Sequence, residues 1–309
     1  MKSELKDKIL SHKIVRKATR VLKTKTLPGF SNVPIYEVGR YFLIAVFKGT
    51  LPSRSASLAF NFFLAIFPAI LFLLSLIPFI PLEDFYENLI NNLNQILPSG
   101  IKEPVLQTLT DLVDHEREGV LVLNILLAFY FASNGIVNLM TEFNNTNLFK
   151  EKRVWWKKRL IALFLVVVLT ILTFTAIILI TSTQDIIQTF FSGSWLDDSM
   201  NWFFINIIRW ITIIALFYLA ISFLYYFGPA KRRNWKFFSV GSSTATVLVI
   251  LTSLAFSFYV NYFSRYNAIY GSIGTIIIVL LYLQLNSFVL LLGFELNASI
   301  RKGKINLTK

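Results

Sequence analysis

The sequence predicts an all-α, polytopic membrane protein with six transmembrane helices, cytoplasmic interfacial helices and an external helical hairpin. Hydrophobic residues make up 55% of the 309 positions and charged residues only 15%, so a soluble fold of this size could not cover its apolar surface. Six stretches have the roughly twenty residues that a helix needs to cross a ~30 Å hydrocarbon core. Lysine and arginine are concentrated in alternate connections between these stretches, as is typical of a multi-pass protein.

Residues 1–54 are predicted to form a cytoplasmic basic region. Within residues 4–23 the apolar side chains fall loosely on one helical face and the remainder is basic, which suits a helix on an anionic leaflet and, equally, a solvated basic arm. Pro28 and Gly29 interrupt this segment. Residues 34–51 begin with proline, which is favoured in a first helical turn, and they are too short and too charged to span. A second interfacial helix is therefore predicted there.

The transmembrane domain is predicted over residues 55–300, followed by a cytoplasmic tail at 301–309. Its connection at 81–118 is long, and two prolines divide it into stretches with apolar residues at helical spacing, so we expect an external helical hairpin. The acidic residues of this hairpin form a solvated face rather than a divalent-ion site, because no run has the spacing and glycine of an oxygen-ligand loop. The six spans are predicted at 55–78, 119–140, 159–182, 203–227, 237–262 and 272–297.

The distribution of positive charge predicts the orientation. Twenty-six of the thirty lysines and arginines lie before the first span, in the second-to-third and fourth-to-fifth connections, or in the tail. This positive-inside pattern places both termini in the cytoplasm. The net charge of +13 is therefore interpreted as a topology signal. We predict no nucleic-acid partner, and anionic lipids of the cytoplasmic leaflet as partners of the basic segments.

Two ionisable residues fall inside the predicted spans, where a charge is costly and points to a functional site. Arg209 lies about 10 Å below the outer boundary, whereas Glu295 lies near the inner boundary, so a direct ion pair between them is rejected. Arg209 is either an anchor that reaches the outer headgroups or an anion contact in a cavity. Glu295 is either part of an inner-rim ion pair or a carboxylate that binds protons or substrate. The candidate inner-rim partners are Arg54, Lys158 and Arg159.

Uncharged polar residues inside the spans are concentrated in the cytoplasmic half by this topology. They serve either as interhelical hydrogen bonds or as the lining of a cavity open to the cytoplasm, and Pro68 breaks the helical hydrogen-bond ladder in the first span. The complete set of cavity or substrate-path candidates is Asn61, Pro68, Asn134, Asn138, Arg209, Ser243, Gln284, Asn286 and Glu295.

No motif of an enzyme is present in the sequence. It has no cysteine, no P-loop, no GxSxG and no HExxH. Nuclease chemistry needs clustered carboxylates for metal ions or a histidine acid–base pair, and the predicted cytoplasmic carboxylates lack metal-ligand spacing. We therefore predict no enzymatic activity, no cofactor and no metal site.

Three stretches resemble the YihY/BrkB family of bacterial inner-membrane proteins. They are ASLAFNFFLAIFPAILFLLSLI (56–77), YYFGPAKRRNWKFFSVGSSTATVL (225–248) and YGSIGTIIIVLLYLQLNSFVLLLGFELNA (270–298). The stretch 131–149 lacks the aromatic-plus-basic ending associated with the family. The resemblance implies an integral inner-membrane protein with six helices and a link to envelope properties and lipid transport. It also implies that the family's older label, ribonuclease BN, is a misassignment.

Two functions remain open from the sequence. The first is a transporter or lipid-translocating protein of the bacterial inner membrane, with a polar cavity open to the cytoplasm and a lipid or other amphipathic substrate. The alternative is a non-transporting envelope scaffold that docks a partner through its acidic external hairpin.

Overall fold

The structure is a computed structural model. It describes residues 20–48, 50–75, 90–91, 106, 118–145, 153–181, 198–230, 236–262 and 272–307. Within these residues the elements are α1 (Ile35–Lys48), α2 (Leu51–Ser75), α3 (Glu118–Asn144), α4 (Trp155–Thr181), α5 (Asp198–Phe227), α6 (Val240–Tyr262) and α7 (Ser272–Leu307). The predicted all-α fold is confirmed over the described residues. The predicted helix at 4–23 and the external hairpin at 81–118 lie almost entirely outside them.

Four helices are long and apolar enough to cross a membrane within the part of the chain that the structure describes. The qualifying segments are Trp155–Leu179, Arg209–Phe227, Val240–Val260 and Ile276–Leu307. Large apolar side chains on these helices face outward, for example Leu254 at 64% and Phe258 at 66% exposure. Exposed apolar surface of this extent marks contact with a membrane. The chain is therefore a multi-pass membrane protein.

Two helix boundaries differ from the prediction in ways that matter for the site. Helix α2 begins at Leu51, so Arg54 lies in its first turn rather than in a segment before the helix. Proline is tolerated in a first turn because its missing N–H would have no helical partner there, which allows Pro52 at this end. Helix α7 continues to Leu307 over 36 residues, so most of the predicted tail is helical. It is about 54 Å long, well beyond the ~30 Å hydrocarbon core.

The chain divides into two compact units. The first contains Met1–Phe60, Leu139–Arg153 and Ile221–Lys309, and the second contains Asn61–Asn138 and Val154–Ala220. Helices α1, α6 and α7 belong to the first unit and α4 belongs to the second.

In the first unit, glycines allow α6 and α7 to approach closely. A Cβ at Gly293 would lie 2.7 Å from the Ala245 Cβ and 2.8 Å from the Gly241 carbonyl oxygen. Small residues at such contacts are the usual means of packing helices in membranes. The Asn297 carboxamide crosses the same contact, where its Oδ1 accepts the Gly241 N–H at 2.8 Å. The start of α6 is thereby joined to the C-terminal half of α7.

The last turns of α7 pack on α1 and the turn before it. Phe30, Val33, Val38 and Ile300 form a small buried cluster. The turn needs positive φ at Gly29 (90°), and Ser31 and Asn32 share that region at 52° and 64°. This cluster packs α7 at Ile300 against α1 and the turn before it.

In the second unit, residues 61–75 of α2 pack against residues 118–138 of α3. A Cβ at Gly135 would lie 3.1 Å from the Ala65 Cβ. The Phe72 and Phe129 rings are 5.2 Å apart between centroids. These contacts hold the two helix faces that form the candidate site.

Candidate polar groove

The polar groove is a cavity of about 290 Å³ between α2 and α3. Its residues repeat at helical spacing on each helix, so one face of α2 meets one face of α3. Four of the nine predicted cavity candidates line it: Asn61, Pro68, Asn134 and Asn138. The lining is completed by Leu64, Ala65, Phe131 and Val137. That these residues form a substrate path stays a prediction.

Pro68 changes the chemistry of one wall. Proline has no backbone N–H, so the helical hydrogen bond from position 68 to the Leu64 carbonyl cannot form. Leu64 and Pro68 both line the groove. In a membrane, such a carbonyl is tolerated where it is buried in protein or lines a water-filled cavity. The Leu64 carbonyl at the groove wall therefore lacks its usual helical donor.

Arg159 is hydrogen-bonded to the groove wall. Its Nη1 donates to Asn134 Oδ1 at 2.6 Å and its Nη2 donates to the Tyr130 carbonyl at 2.8 Å. The guanidinium also lies 3.7 Å from the centroid of the Tyr130 ring. Arg159, one of the predicted inner-rim cations, thus contacts Asn134 and Tyr130 within the second unit.

Glu295 meets Arg54 within the first unit. Arg54 Nη1 lies 2.7 Å from Glu295 Oε1, and these side chains are 8% and 2% exposed. Arg54 Nη2 donates to the Glu142 carbonyl oxygen, and Nε lies 3.5 Å from Glu142 Oε2. The cluster therefore ties together the first turn of α2, the end of α3 and α7. Arg54, one of the three predicted partners, lies against Glu295.

The remaining candidates lie on other surfaces. Arg209 is half-buried on α5, next to an exposed Trp210. Ser243 is exposed, and its hydroxyl donates to the Ser239 carbonyl. Gln284 is exposed on α7, while Asn286 is half-buried and donates to the Tyr282 carbonyl at 3.0 Å. Lys158 lies in the first turn of α4. The structure does not bring these residues to the groove lining.

A larger and more open groove of about 380 Å³ lies between α6 and α7. Its walls are mainly aliphatic and aromatic. The hydroxyls of Ser253 and Tyr282 are 3.0 Å apart and hydrogen-bond each other. This groove consequently presents few free polar groups to a ligand, and the smaller groove between α2 and α3 is the better candidate.

Two residues that make buried contacts near Arg54 and at the end of α3 were not predicted from the sequence. Glu142 was not assigned to the Arg54 cluster, because its contact uses a backbone carbonyl as well as a carboxylate. Asn144 was also missed: its Oδ1 accepts the Ala230 N–H at 2.9 Å and its Nδ2 donates to the Met140 carbonyl. Both residues lie at the end of a long apolar helix, where unsatisfied carbonyls need partners. That position could have indicated both contacts from the sequence.

The described residues contain no cluster of metal-binding side chains. No group of three or more histidine, aspartate or glutamate side chains that could hold a metal ion occurs among those residues. The buried carboxylates are held by a guanidinium, which competes with a cation for their oxygens.

Comparison with known proteins relates most of the chain to one family. A family profile described as "Virulence factor BrkB" matches residues 46–308. A Bacillus subtilis protein named "Putative ribonuclease-like protein YfkH" is 29% identical over 257 residues, which are 82% of this chain and 90% of that protein.

Shorter matches connect the chain to membrane proteins of other bacteria. A UPF0761 membrane protein of Mannheimia succiniciproducens is 34% identical over 99 residues, which are 30% of this chain and 34% of that protein. A UPF0761 membrane protein of Vibrio cholerae is 30% identical over 93 residues, or 30% of this chain and 31% of that protein. These two matches thus span only about a third of the relatives. No solved structure matches the chain.

Proposed function

Because this chain belongs to the BrkB family of membrane proteins, we propose that it moves an amphipathic molecule, such as a lipid, across the bacterial inner membrane. The polar part of the substrate passes along the groove between α2 and α3, while its apolar part stays in the lipid. The observation that supports this most is the convergence of Asn61, Asn134 and Asn138 on one cavity. One relative is named ribonuclease-like, but none of the residues that line the groove has an ionisable side chain for acid–base catalysis.

The proposal includes a topology of six spans with both termini in the cytoplasm. Helices α2 and α3, at 25 and 27 residues, are long enough to join the four apolar spans. Basic residues on α1, at the start of α4 and at the end of α7 then face the cytoplasm, in accordance with the positive-inside rule. Helix α1 lies on the cytoplasmic leaflet, where its exposed Leu43, Ile44 and Phe47 enter the interface.

This topology puts the groove in the cytoplasmic half of the bilayer. Helix α2 enters from the cytoplasm at Leu51, so Asn61 lies about 15 Å along it. Helix α3 leaves towards the cytoplasm at Asn144, so Asn134 lies about 15 Å before its end. A substrate from the cytoplasmic leaflet would therefore meet the amides soon after leaving the interface.

The chemistry of the groove suits a headgroup. A polar group that enters hydrocarbon without a hydrogen-bond partner loses several kcal/mol. Three carboxamides and the Leu64 carbonyl replace water partners for such a group, and they lower the barrier to its movement. The volume of about 290 Å³ lies at the small end of the range for ligand pockets, which suits a headgroup rather than a whole lipid.

A lipid-movement assay tests the proposal. The full chain is reconstituted into liposomes that contain trace fluorescent lipids with different headgroups, and the leaflet of each lipid is followed with an impermeant quencher. We expect faster transbilayer movement than in empty liposomes for at least one headgroup. Asn61→Leu with Asn138→Leu should slow it about tenfold, because two hydrogen-bonding groups are lost.

Ser243→Ala is the matched control, since Ser243 is a polar residue of α6 outside the groove, and its rate should equal that of the wild type. Movement no faster than in empty liposomes for every headgroup would contradict the proposal. Equal rates in the groove variant and the wild type would remove the groove from it.

A further inference from the structure

The charge at the groove is positive. None of the eight lining side chains ionises, and Arg159 adds one guanidinium through its hydrogen bond to Asn134. Its other partners are the Tyr130 carbonyl and the Tyr130 ring, both uncharged. Among the described residues, therefore, the Arg159 charge is held by neutral groups only. A cation held in this way attracts an anion more strongly than one already paired with a carboxylate.

The hydrogen-bonding groups that Arg159 and Asn134 leave for a ligand are donors. Arginine has only N–H donors, so the atom of Asn134 that accepts from Arg159 must be its oxygen. The Asn134 NH₂ group is then the part left for a ligand. Arg159 Nε is buried and has no hydrogen-bond partner among the described residues. Phosphate oxygens, which only accept when ionised, match such a donor set.

Arg159 connects the membrane interface with the groove in the proposed topology. Trp155 and Trp156 begin α4 and are 78% and 46% exposed, as expected of aromatic residues in the membrane interface. Arg159 lies one turn further along the helix, about 6 Å deeper. In the proposed topology its backbone thus lies close to the headgroup layer of the cytoplasmic leaflet, while its guanidinium reaches inward to Asn134 in the groove.

From these three observations we propose that the groove selects a phosphate-bearing, net anionic headgroup, and that Arg159 and Asn134 form the contact that recognises it. This inference rests on the proposed function, because it names the substrate class of the same groove. A zwitterionic headgroup carries a cation that Arg159 repels, and a headgroup without phosphate lacks the acceptor oxygens.

Native mass spectrometry of the full chain, released from detergent with equal amounts of phosphatidylglycerol and phosphatidylcholine of identical acyl chains, tests the proposal. Wild-type protein should bind phosphatidylglycerol about tenfold more strongly, the size of one charge-assisted hydrogen bond. Arg159→Gln should abolish this preference. Lys157→Gln removes the same charge two residues away, where the ammonium is exposed and lies over the Trp156 ring, and it should keep the preference.

A second variant guards against misfolding of Arg159→Gln. Asn138→Asp places a carboxylate in the groove and leaves the Arg159 contacts in place, so it should also weaken phosphatidylglycerol binding. Equal binding of both lipids by the wild type would overturn the inference. It would be overturned as well if Arg159→Gln and Lys157→Gln reduced the preference by the same factor, since that result means general surface attraction.

Soluble glycerol phosphate distinguishes the source of the phosphate. Displacement of phosphatidylglycerol by millimolar glycerol phosphate supports recognition of the phosphate alone, and failure to displace it supports recognition of a lipid-borne phosphate.

The liposome assay separates this inference from the proposed function. Lipid movement without preference for anionic headgroups refutes the inference only, whereas selective binding without movement refutes the transport function only.

Discussion

Arg54 and Glu295 form a buried ion pair, with 2.7 Å between Arg54 Nη1 and Glu295 Oε1, although 241 positions separate them in sequence. A carboxylate that is 2% exposed needs a charged partner, because an isolated buried charge costs several kcal/mol. The pair explains how Arg54 can lie buried in the first turn of α2. It also fixes the first turn of α2 relative to α7 within the first unit.

Arg54→Met should therefore lower the free energy of unfolding by about 3 kcal/mol or more, since Glu295 then remains buried without a cation. Thermal unfolding of the purified protein in a mild detergent measures the effect. Adding Glu295→Leu to Arg54→Met should restore part of the stability, because no charge is then left unpaired at that position. Additive losses in the double variant would indicate that the two side chains do not interact.

Gly293→Ala should destabilise the first unit. The added methyl group would lie 2.7 Å from the Ala245 Cβ and 2.8 Å from the Gly241 carbonyl, so α6 and α7 must separate, at a cost of about 1–3 kcal/mol. Gly39→Ala is the control, because nothing lies within 4 Å of its Cβ position on α1. That change should be neutral or stabilising by up to about 1 kcal/mol. The stability of both variants is measured by the unfolding temperature. A Gly293→Ala protein as stable as the wild type would refute the close contact between α6 and α7.

Pro68→Ala should slow lipid movement without loss of stability. Alanine restores the N–H that can bond the Leu64 carbonyl, so the groove loses a backbone acceptor while the helix gains a hydrogen bond. Pro52→Ala is the matched control, because Pro52 lies in the first turn of α2, where no such bond is missing. The two variants are compared in the liposome assay. Slower movement in Pro52→Ala than in Pro68→Ala would argue against a role for the Leu64 carbonyl.

Deletion of residues 83–116 separates transport from the envelope-scaffold alternative. If the protein moves a substrate through the groove, we expect the deletion to leave lipid movement in liposomes within about twofold of the wild-type rate, because the groove residues are untouched. The scaffold alternative predicts that a cellular envelope phenotype disappears on deletion but persists in Asn61→Leu with Asn138→Leu. That pattern in cells, with no lipid movement in liposomes, would favour the scaffold.

Much of the helical framework could be predicted from sequence because apolar length is a strong signal. The predicted span at 119–140 corresponds to α3 at Glu118–Asn144, and that at 159–182 corresponds to α4 at Trp155–Thr181. The errors are at the ends. Helix α7 continues to Leu307, and its Ile300 packs against Val33 and Val38. These residues are distant in sequence, so a hydropathy pattern does not detect the contact.

The candidate site could be predicted only as a set of residue types. The sequence places Asn61, Asn134 and Asn138 in the same half of their predicted spans, but their convergence depends on the rotation of α2 and α3 about their axes. The same uncertainty left three cations as partners for Glu295. Only the packing of the helices selects Arg54 for Glu295 and Arg159 for Asn134.

The most direct measurement is the side from which the groove can be reached by water-soluble reagents. The chain has no cysteine, so Asn138→Cys can be labelled without background, with Lys304→Cys at the exposed end of α7 as the cytoplasmic control. An impermeant maleimide should label both cysteines in inside-out vesicles and neither in intact cells. Labelling of Asn138→Cys from outside the cell, or its failure to react in vesicles where Lys304→Cys reacts, would contradict a groove open to the cytoplasm.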